Sequence, residues 1–238
     1  MMVKKALHRL TLQGLITLAS RRPTSYLIVP AEQMHYGAPP ITWWIDDCLK
    51  RIEPHYYIAL LSAARYWGSA HYAIQEAQVM VSRPRTTATP GKLKVTFFTK
   101  RKISGTPVVV VGSGVAPWRV STRAATLLDL IRHQADVGGV ESIARVAKDF
   151  SSQLDLRDIA LALDAMNQIP VAQRLGFIFD HLNLTLPAQK IEGWLRSRRI
   201  TLQPLVLGDR EDDYPLQINA KWGIRYDTRL LYLLSEIT

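Results

Sequence analysis

The chain has 238 residues, 47% of them apolar, with 13 Gly and 13 Pro. Those figures suit a globular protein and exclude a collagen-like or Pro/Gly low-complexity chain. Thirty Lys and Arg against 20 Asp and Glu leave a formal charge of +10, the electrostatic footprint expected of a nucleic-acid binder.

Taken in chain order, the first segment sets Val3, Ala6, Leu7 and Leu10 at helical spacing, with Lys4, Lys5, His8 and Arg9 on the remaining face. Gly14 is the expected stop, because glycine takes the left-handed conformation that ends helices. Leu15-Ile16-Thr17-Leu18 and Tyr26-Leu27-Ile28-Val29 read as two strands around a basic turn, Arg21-Arg22-Pro23-Thr24-Ser25, and Pro30 closes the unit. A basic amphipathic helix followed by a ribbon with Arg at its tip is the second half of a winged helix. In that fold the helix enters the major groove and the wing touches backbone or minor groove. Only two residues precede Val3, so the first half is expected either upstream of Met1 or replaced by packing on the rest of the chain.

Residues 31–50 connect this unit to a short helix, and Asp46 and Asp47 on it are expected to be solvated. Pro54 is placed to open an Ala-rich, well-buried helix running through Tyr56-Tyr57-Ile58-Ala59-Leu60-Leu61-Ser62-Ala63-Ala64 to Gly68. From Ala77 to Val120 the pattern changes to strands: Val79-Met80-Val81, Val95-Thr96-Phe97-Phe98 and Val108 to Val111. Between Glu76 and Asp129 there is no acid, whereas Arg83, Arg85, Lys92, Lys94, Lys100, Arg101, Lys102, Arg119 and Arg123 are all cationic. A twisted sheet with a cationic face is therefore expected, able to take polyanion phosphates in a salt-dependent way.

Ser121 or Thr122 caps the next helix, and Asp129 within it reads as an exposed or first-turn carboxylate. Gly138-Gly139 breaks that helix, and a second follows from Val140 to Phe150. Three more are expected, near Asp155–Asn167, Val171–Leu182 and, after Pro187, Ala188–Arg199. The tail returns to short strands, Leu202–Leu207 and Trp222–Tyr226, around an acidic loop with Asp209, Glu211, Asp212 and Asp213. The fold class is mixed α/β (α+β). Its two expected parts are a partial winged helix, 1–35, and an α/β domain, 36–238, strand-rich over 77–120 and helical over 121–200.

Catalytic signatures are missing. The sequence has no P-loop, dinucleotide fingerprint, nucleophile elbow or HExxH helix, and Gly112-Ser113-Gly114 is too short for a phosphate turn. No two of the six histidines (8, 35, 55, 71, 133, 181) stand at the i, i+4 spacing of a helical metal site, and Cys48 is alone. No run approaches the length of a membrane helix, and Lys4, Lys5 and Arg9 interrupt any secretory leader. A non-enzymatic, cytoplasmic protein without cofactor, metal or membrane partner is expected. A nuclease or nucleotidyltransferase would need clustered carboxylates in the basic region, and residues 77–128 have none.

Three blocks in order carry a resemblance. They are Ala6-Leu7-His8-Arg9-Leu10 with Gly14-Leu15 and Tyr26-Leu27-Ile28-Val29-Pro30; the Tyr56–Ala64 segment; and Val120-Ser121-Thr122-Arg123-Ala124-Ala125-Thr126-Leu127-Leu128-Asp129-Leu130 with Gly138-Gly139-Val140. Over about residues 4 to 185 the chain resembles the AbiEi-type antitoxins. These are transcriptional regulators of type IV toxin–antitoxin systems whose toxin is nucleotidyltransferase-like. The resemblance implies a winged-helix domain that binds inverted repeats in its own promoter, and an α/β C-terminal domain that carries antitoxin activity and assists DNA binding. By position, Lys4, Lys5, His8 and Arg9 fall on the recognition helix and Arg21 and Arg22 at the wing tip. Arg83, Arg85, Lys92, Lys94, Lys100, Arg101 and Lys102 would add phosphate contacts. The chain departs from the family at Trp67-Gly68, where members often place a His before the glycine, and in the absent first half of the DNA-binding domain. That second departure leaves open an antitoxin that acts by interaction alone.

Overall fold

The computed structural model describes residues 2–21, 24–69, 76–112, 117–198, 205–207 and 216–237. Arg22, Pro23, His71, Ser113, Gly114, Arg199 and the acidic loop at 209–213 lie outside them. The chain divides into two compact units: one holds Met1–Ser62, Ala73–Ser104 and Val108–Val120, the other Ala63–Tyr72, Gly105–Pro107 and Ser121–Thr238. The opening segment belongs to the unit that holds the large sheet.

In the first unit, Met2–Leu12 forms helix α1, and the chain turns at Gly14, whose φ of +71° suits glycine. Ile16–Arg21 (β1) and Thr24–Ile28 (β2) follow as an antiparallel ribbon, with Ile16 opposite Ile28 and Arg21 opposite Thr24. After Ile45–Leu49 (α2), the expected long helix at Pro54 does not form. Instead Tyr57–Ile58 is a strand, β3, and only Leu60–Tyr66 is helical, α3. Its neighbours explain the difference. Glu76–Val81 (β4) lies antiparallel to β3, the Ala59 amide bonds the Gln78 carbonyl at 2.9 Å, and the Leu61 amide bonds the Gln78 Oε1 at 2.9 Å. Tyr56, Tyr57 and Ile58 are buried, as the helical reading expected, with Tyr57 and Ile58 in the centre of the sheet.

Lys94–Thr99 (β5), Val108–Val111 (β6) and Trp118–Ser121 (β7) complete a mixed five-stranded sheet in the order β5-β4-β3-β7-β6. β4 and β5 are parallel, in register from Glu76 opposite Lys94 to Val81 opposite Thr99. The segment after β4 returns along the outer edge of β5, where Ala88 bridges Val95.

The second unit is mainly helical. Arg123–Arg132 (α4), Gly139–Phe150 (α5), Leu156–Met166 (α6), Ile169–His181 (α7) and Thr185–Ser197 (α8) pack around Leu127, Leu128, Leu130, Ile143, Phe150, Phe177 and Phe179. Leu205–Val206 (β8), Leu216–Asn219 (β9) and Ile224–Asp227 (β10) form a small sheet in the order β8-β10-β9, and Thr228–Ile237 is a helix, α9, that the sequence pattern did not announce. Trp222 fastens this tail. It is fully buried, its carbonyl accepts from Gln173 Nε2 at 2.7 Å, and its indole N–H donates to Asp180 at 2.6 Å. The ring occupies the space where a side chain on Gly176 would begin: a Cβ there would stand 2.1 Å from the indole.

Candidate nucleic-acid interface

α1 leaves Lys4, Lys5, His8 and Arg9 all exposed, and none of its residues is buried. None of the four is ion-paired among the described residues. The ribbon follows directly: the Leu15 amide bonds the Leu10 carbonyl at 3.1 Å, and the Val29 amide bonds the Leu15 carbonyl at 2.9 Å. The backbone of Arg21 lies at the ribbon's end, and Arg22 is outside the described residues.

The ribbon is pinned to the loop before β5. Thr17 Oγ1 on β1 accepts from the Gly91 amide at 3.1 Å, and the Lys92 amide bonds the Tyr36 carbonyl at 2.8 Å. Gly91 has a φ of +56°, and a Cβ on it would sit 2.4 Å from the backbone of Gly37 and Tyr36. Only glycine fits that contact, which places the exposed Lys92 backbone next to the ribbon.

The acid-free stretch distributes its cations differently from expectation. A cationic sheet face does not form, because β3, β4 and β6 carry no Lys or Arg and β5 carries only Lys94. Since β4 and β5 are parallel, their exits lie together, and Arg83, Arg101 and Lys102 follow those exits, exposed. Arg85, half-buried, lies on the return along β5. Lys92 and Lys94 sit at the opposite end, about five residue steps or ~17 Å along the strands. One run in sequence becomes two clusters in space.

Four of the nine cations have other work. Lys94 pairs with Glu76 at 2.7 Å across the β4–β5 register. Burial pushes the Glu76 carboxyl up, but hydrogen bonds from Lys94, Thr96 and Gln78 outweigh it and hold the group below the usual range. Lys100 is 3% exposed, with its ammonium 3.3 Å from the Tyr57 hydroxyl, so it is removed from the surface on which the sequence reading placed it. Arg119 donates to the Pro54 carbonyl at 2.7 Å and lies 3.8 Å from Asp46. Asp46 is not solvated as expected: it accepts from the Tyr56 hydroxyl at 2.9 Å, and burial with that bond pushes the phenol far above its ordinary range. Arg123 stacks 4.3 Å from the centre of the Trp67 ring and hydrogen-bonds Gln153.

The third block builds the start of α4. Thr122 caps it, its side chain accepting from the Ala125 amide at 3.3 Å, and Asp158 accepts from the Ala124 amide at 3.1 Å. Those bonds satisfy first-turn amides that the helix cannot satisfy itself. Burial raises the Asp158 carboxyl, and the bonds from Thr122 and Ala124 oppose it only in part. Trp67 Nε1 donates to the Ser121 carbonyl at 2.8 Å. Trp67 thereby ties the end of α3 to the last residue of β7. Asp129 is a correction: it lies in the C-terminal half of α4 with 0% exposure and is neither surface nor first-turn. It is buried because α4 is covered on every face from Ala124 to Ile131.

Residues 57–181, from β3 to the end of α7, match the AbiEi antitoxin C-terminal domain. The chain belongs to the AbiEi antitoxin family. It is thus an antitoxin of a toxin–antitoxin system, in a family that is not generally enzymatic. No curated protein matches it in sequence. Its fold is similar to the crystal structure of the RV2827C protein from Mycobacterium tuberculosis, with a TM-score of 0.66 over 98% of this chain and 82% of that one, at 11% identity. Among the described residues of this AbiEi-family chain, no helix is long and apolar enough to cross a membrane, and no group of three or more His, Cys, Asp or Glu is placed to hold a metal ion. The sequence reading missed the pairing of its cations because the signal is not local. Glu76 bounds the acid-free run, and only the parallel register shows that it faces Lys94.

Proposed function

We propose that this antitoxin is also a DNA-binding autorepressor of its own operon, in the winged-helix manner, and that its cognate toxin is nucleotidyltransferase-like, as in type IV systems. The observation that supports DNA binding best is the exposed row Lys4, Lys5, His8 and Arg9 on a helix with a two-stranded ribbon directly behind it. The helix supplies base contacts, Arg21 and Arg22 add contacts from the basic turn that the sequence places between the two strands, and Lys92 lies beside the ribbon. Arg83, Arg85, Arg101 and Lys102 contribute phosphate contacts from the far end of the β4–β5 pair. Lys100 is buried against Tyr57 and so set apart from that surface, and the charge of the exposed Lys94 is countered by Glu76.

A mobility-shift titration on the upstream promoter at about 50 and about 200 mM salt tests this reading. The expected result is a specific complex that weakens steeply as salt rises. Binding that ignores salt, or equal affinity for unrelated DNA at both concentrations, overturns it. A second reading, antitoxin action by interaction alone, is favoured by the exposure of the apolar side chains on α1, with Val3 72% and Leu12 75% exposed. Co-expression with the neighbouring toxin gene separates the two activities. Full-length protein carrying Lys4→Ala, Lys5→Ala and Arg9→Ala rescues growth while losing the promoter complex if the roles are divided as proposed.

A further inference from the structure

The ribbon behind α1 has two unlike faces. Directly opposite residues of an antiparallel pair share a face, and alternate residues of a strand point to opposite faces. Leu27 and Val29 are buried, whereas Ile28 between them is 79% exposed. Thr17 stands opposite Leu27 and so belongs to the buried face, as does Ser25, two residues before Leu27. Each of these two hydroxyls has a partner outside the ribbon. Ser25 Oγ lies 3.9 Å from Cys48 Sγ on α2, and Thr17 Oγ1 accepts from the Gly91 amide at 3.1 Å. The ribbon is thereby held near both of its ends, within the same compact unit as the sheet.

Gly91 is itself fixed. A Cβ on it would overlap the backbone of Gly37 and Tyr36, and the next amide, that of Lys92, donates to the Tyr36 carbonyl at 2.8 Å. On the other side of the Thr17 bond, the Leu15 amide donates to the Leu10 carbonyl at 3.1 Å, which ties β1 to the end of α1. A short run of bonds therefore links the helix that carries Lys4, Lys5, His8 and Arg9 to the exposed Lys92. Valine has the shape and β-branching of threonine, so the strand does not need the Thr17 hydroxyl. The Gly91 amide does, since the hydroxyl is its acceptor. We propose that Thr17 is a positioning residue for DNA binding: through the Gly91 amide it fixes Lys92 beside the ribbon, so that α1 and Lys92 meet one duplex as a single preset surface. The inference rests on the DNA-binding reading above and adds to it that the ribbon is a fixed wing, not a hinged one. A preset surface spares the ordering cost that loosely held contacts incur on binding.

Salt titrations of promoter binding by the full chain test the proposal. Lys92→Ala should lower the slope of log affinity against log salt by about 1. Thr17→Val keeps the side-chain shape and loses the acceptor; it should lower the slope by as much, and the double variant by no more than either alone. Thr17→Ser keeps the hydroxyl and should retain the wild-type slope, whereas a hydroxyl that served stability alone would leave the slope of the folded protein unmoved in every variant. Hydrogen exchange on the wild type supplies a readout that does not depend on a variant folding: the Gly91 amide, on an exposed residue, should be protected. A wild type without salt-dependent promoter binding overturns the DNA-binding reading and this proposal with it. With that binding present, a slope untouched by Lys92→Ala or by Thr17→Val, losses from the two that add, a Thr17→Ser variant that behaves like Thr17→Val, or an unprotected Gly91 amide each overturns this proposal alone.

Discussion

The strand-rich stretch and the helical stretch that follows it hold their polar residues in different ways, and the contrast governs what each can do. Over 121–198 many polar groups are paired within a turn, beside tertiary bonds such as Asp158 to the Ala124 amide and Arg198 to Asp164. Thr122 caps the helix it begins, Asp155 accepts from the Arg157 amide at 2.8 Å, and the Arg145–Glu141 and Arg196–Glu192 pairs lie one turn apart. Over 76–120 they are long-range: Glu76 with Lys94, Tyr57 with Lys100, and Arg119 with Asp46. Periodicity reveals the first kind of arrangement. Register reveals the second, and it leaves a subset of the cations free to face a polyanion.

The largest expected effect falls on the tail of the second unit. Trp222→Ala should cost about 3–5 kcal/mol in chemical denaturation, since it empties a fully buried site and removes the bond to Asp180. If the loss is under about 1 kcal/mol, the tail is not fastened there. Next is Gly91→Ala in the first unit. Positive φ together with overlap on the Gly37 backbone should cost about 2–4 kcal/mol. The same substitution at Gly193, a helical glycine with nothing within 4 Å of a Cβ, should stabilise by about 0.5–1 kcal/mol, which sharpens the comparison. Thr122→Ala comes third, with about 1 kcal/mol lost from the α4 cap.

The smallest effect is a pH dependence. Glu76 is held below its unfolded value of 4.5, so it binds fewer protons folded than unfolded. Its stabilisation is fully present above about pH 4.5 and is lost as pH falls through its lower folded value. Denaturation of Glu76→Gln should therefore differ from wild type at neutral pH and converge with it in acid. Divergence that grows in acid contradicts the pairing.

Much of this fold is readable before folding. The Gly14 stop, the Leu15–Leu18 and Tyr26–Val29 strands and the helices from Thr122 to about 182 rest on local spacing, which is where they appear. The Pro54 helix was misread because a short apolar run suits a fully buried helix and a central strand equally well; the decision is made by Gln78, twenty residues on from Ile58. Asp129 was misread because a carboxylate with 0% exposure in an apolar core runs against ordinary burial preference. The candidate interface was legible on α1, whose helical spacing separates the cations. It was overcounted in the sheet, where charge listing is blind to the partners of Lys94, Lys100, Arg119 and Arg123.

That blindness defines the decisive measurement: the slope of log affinity against log salt on the promoter, compared between two full-length variants. Arg101→Ala with Lys102→Ala removes two exposed cations, and the slope should fall by about 2. Lys94→Ala with Glu76→Gln removes an internally neutralised pair, and the slope should stay at the wild-type value. Should the second variant flatten the slope as much as the first, the division between engaged and free cations is wrong.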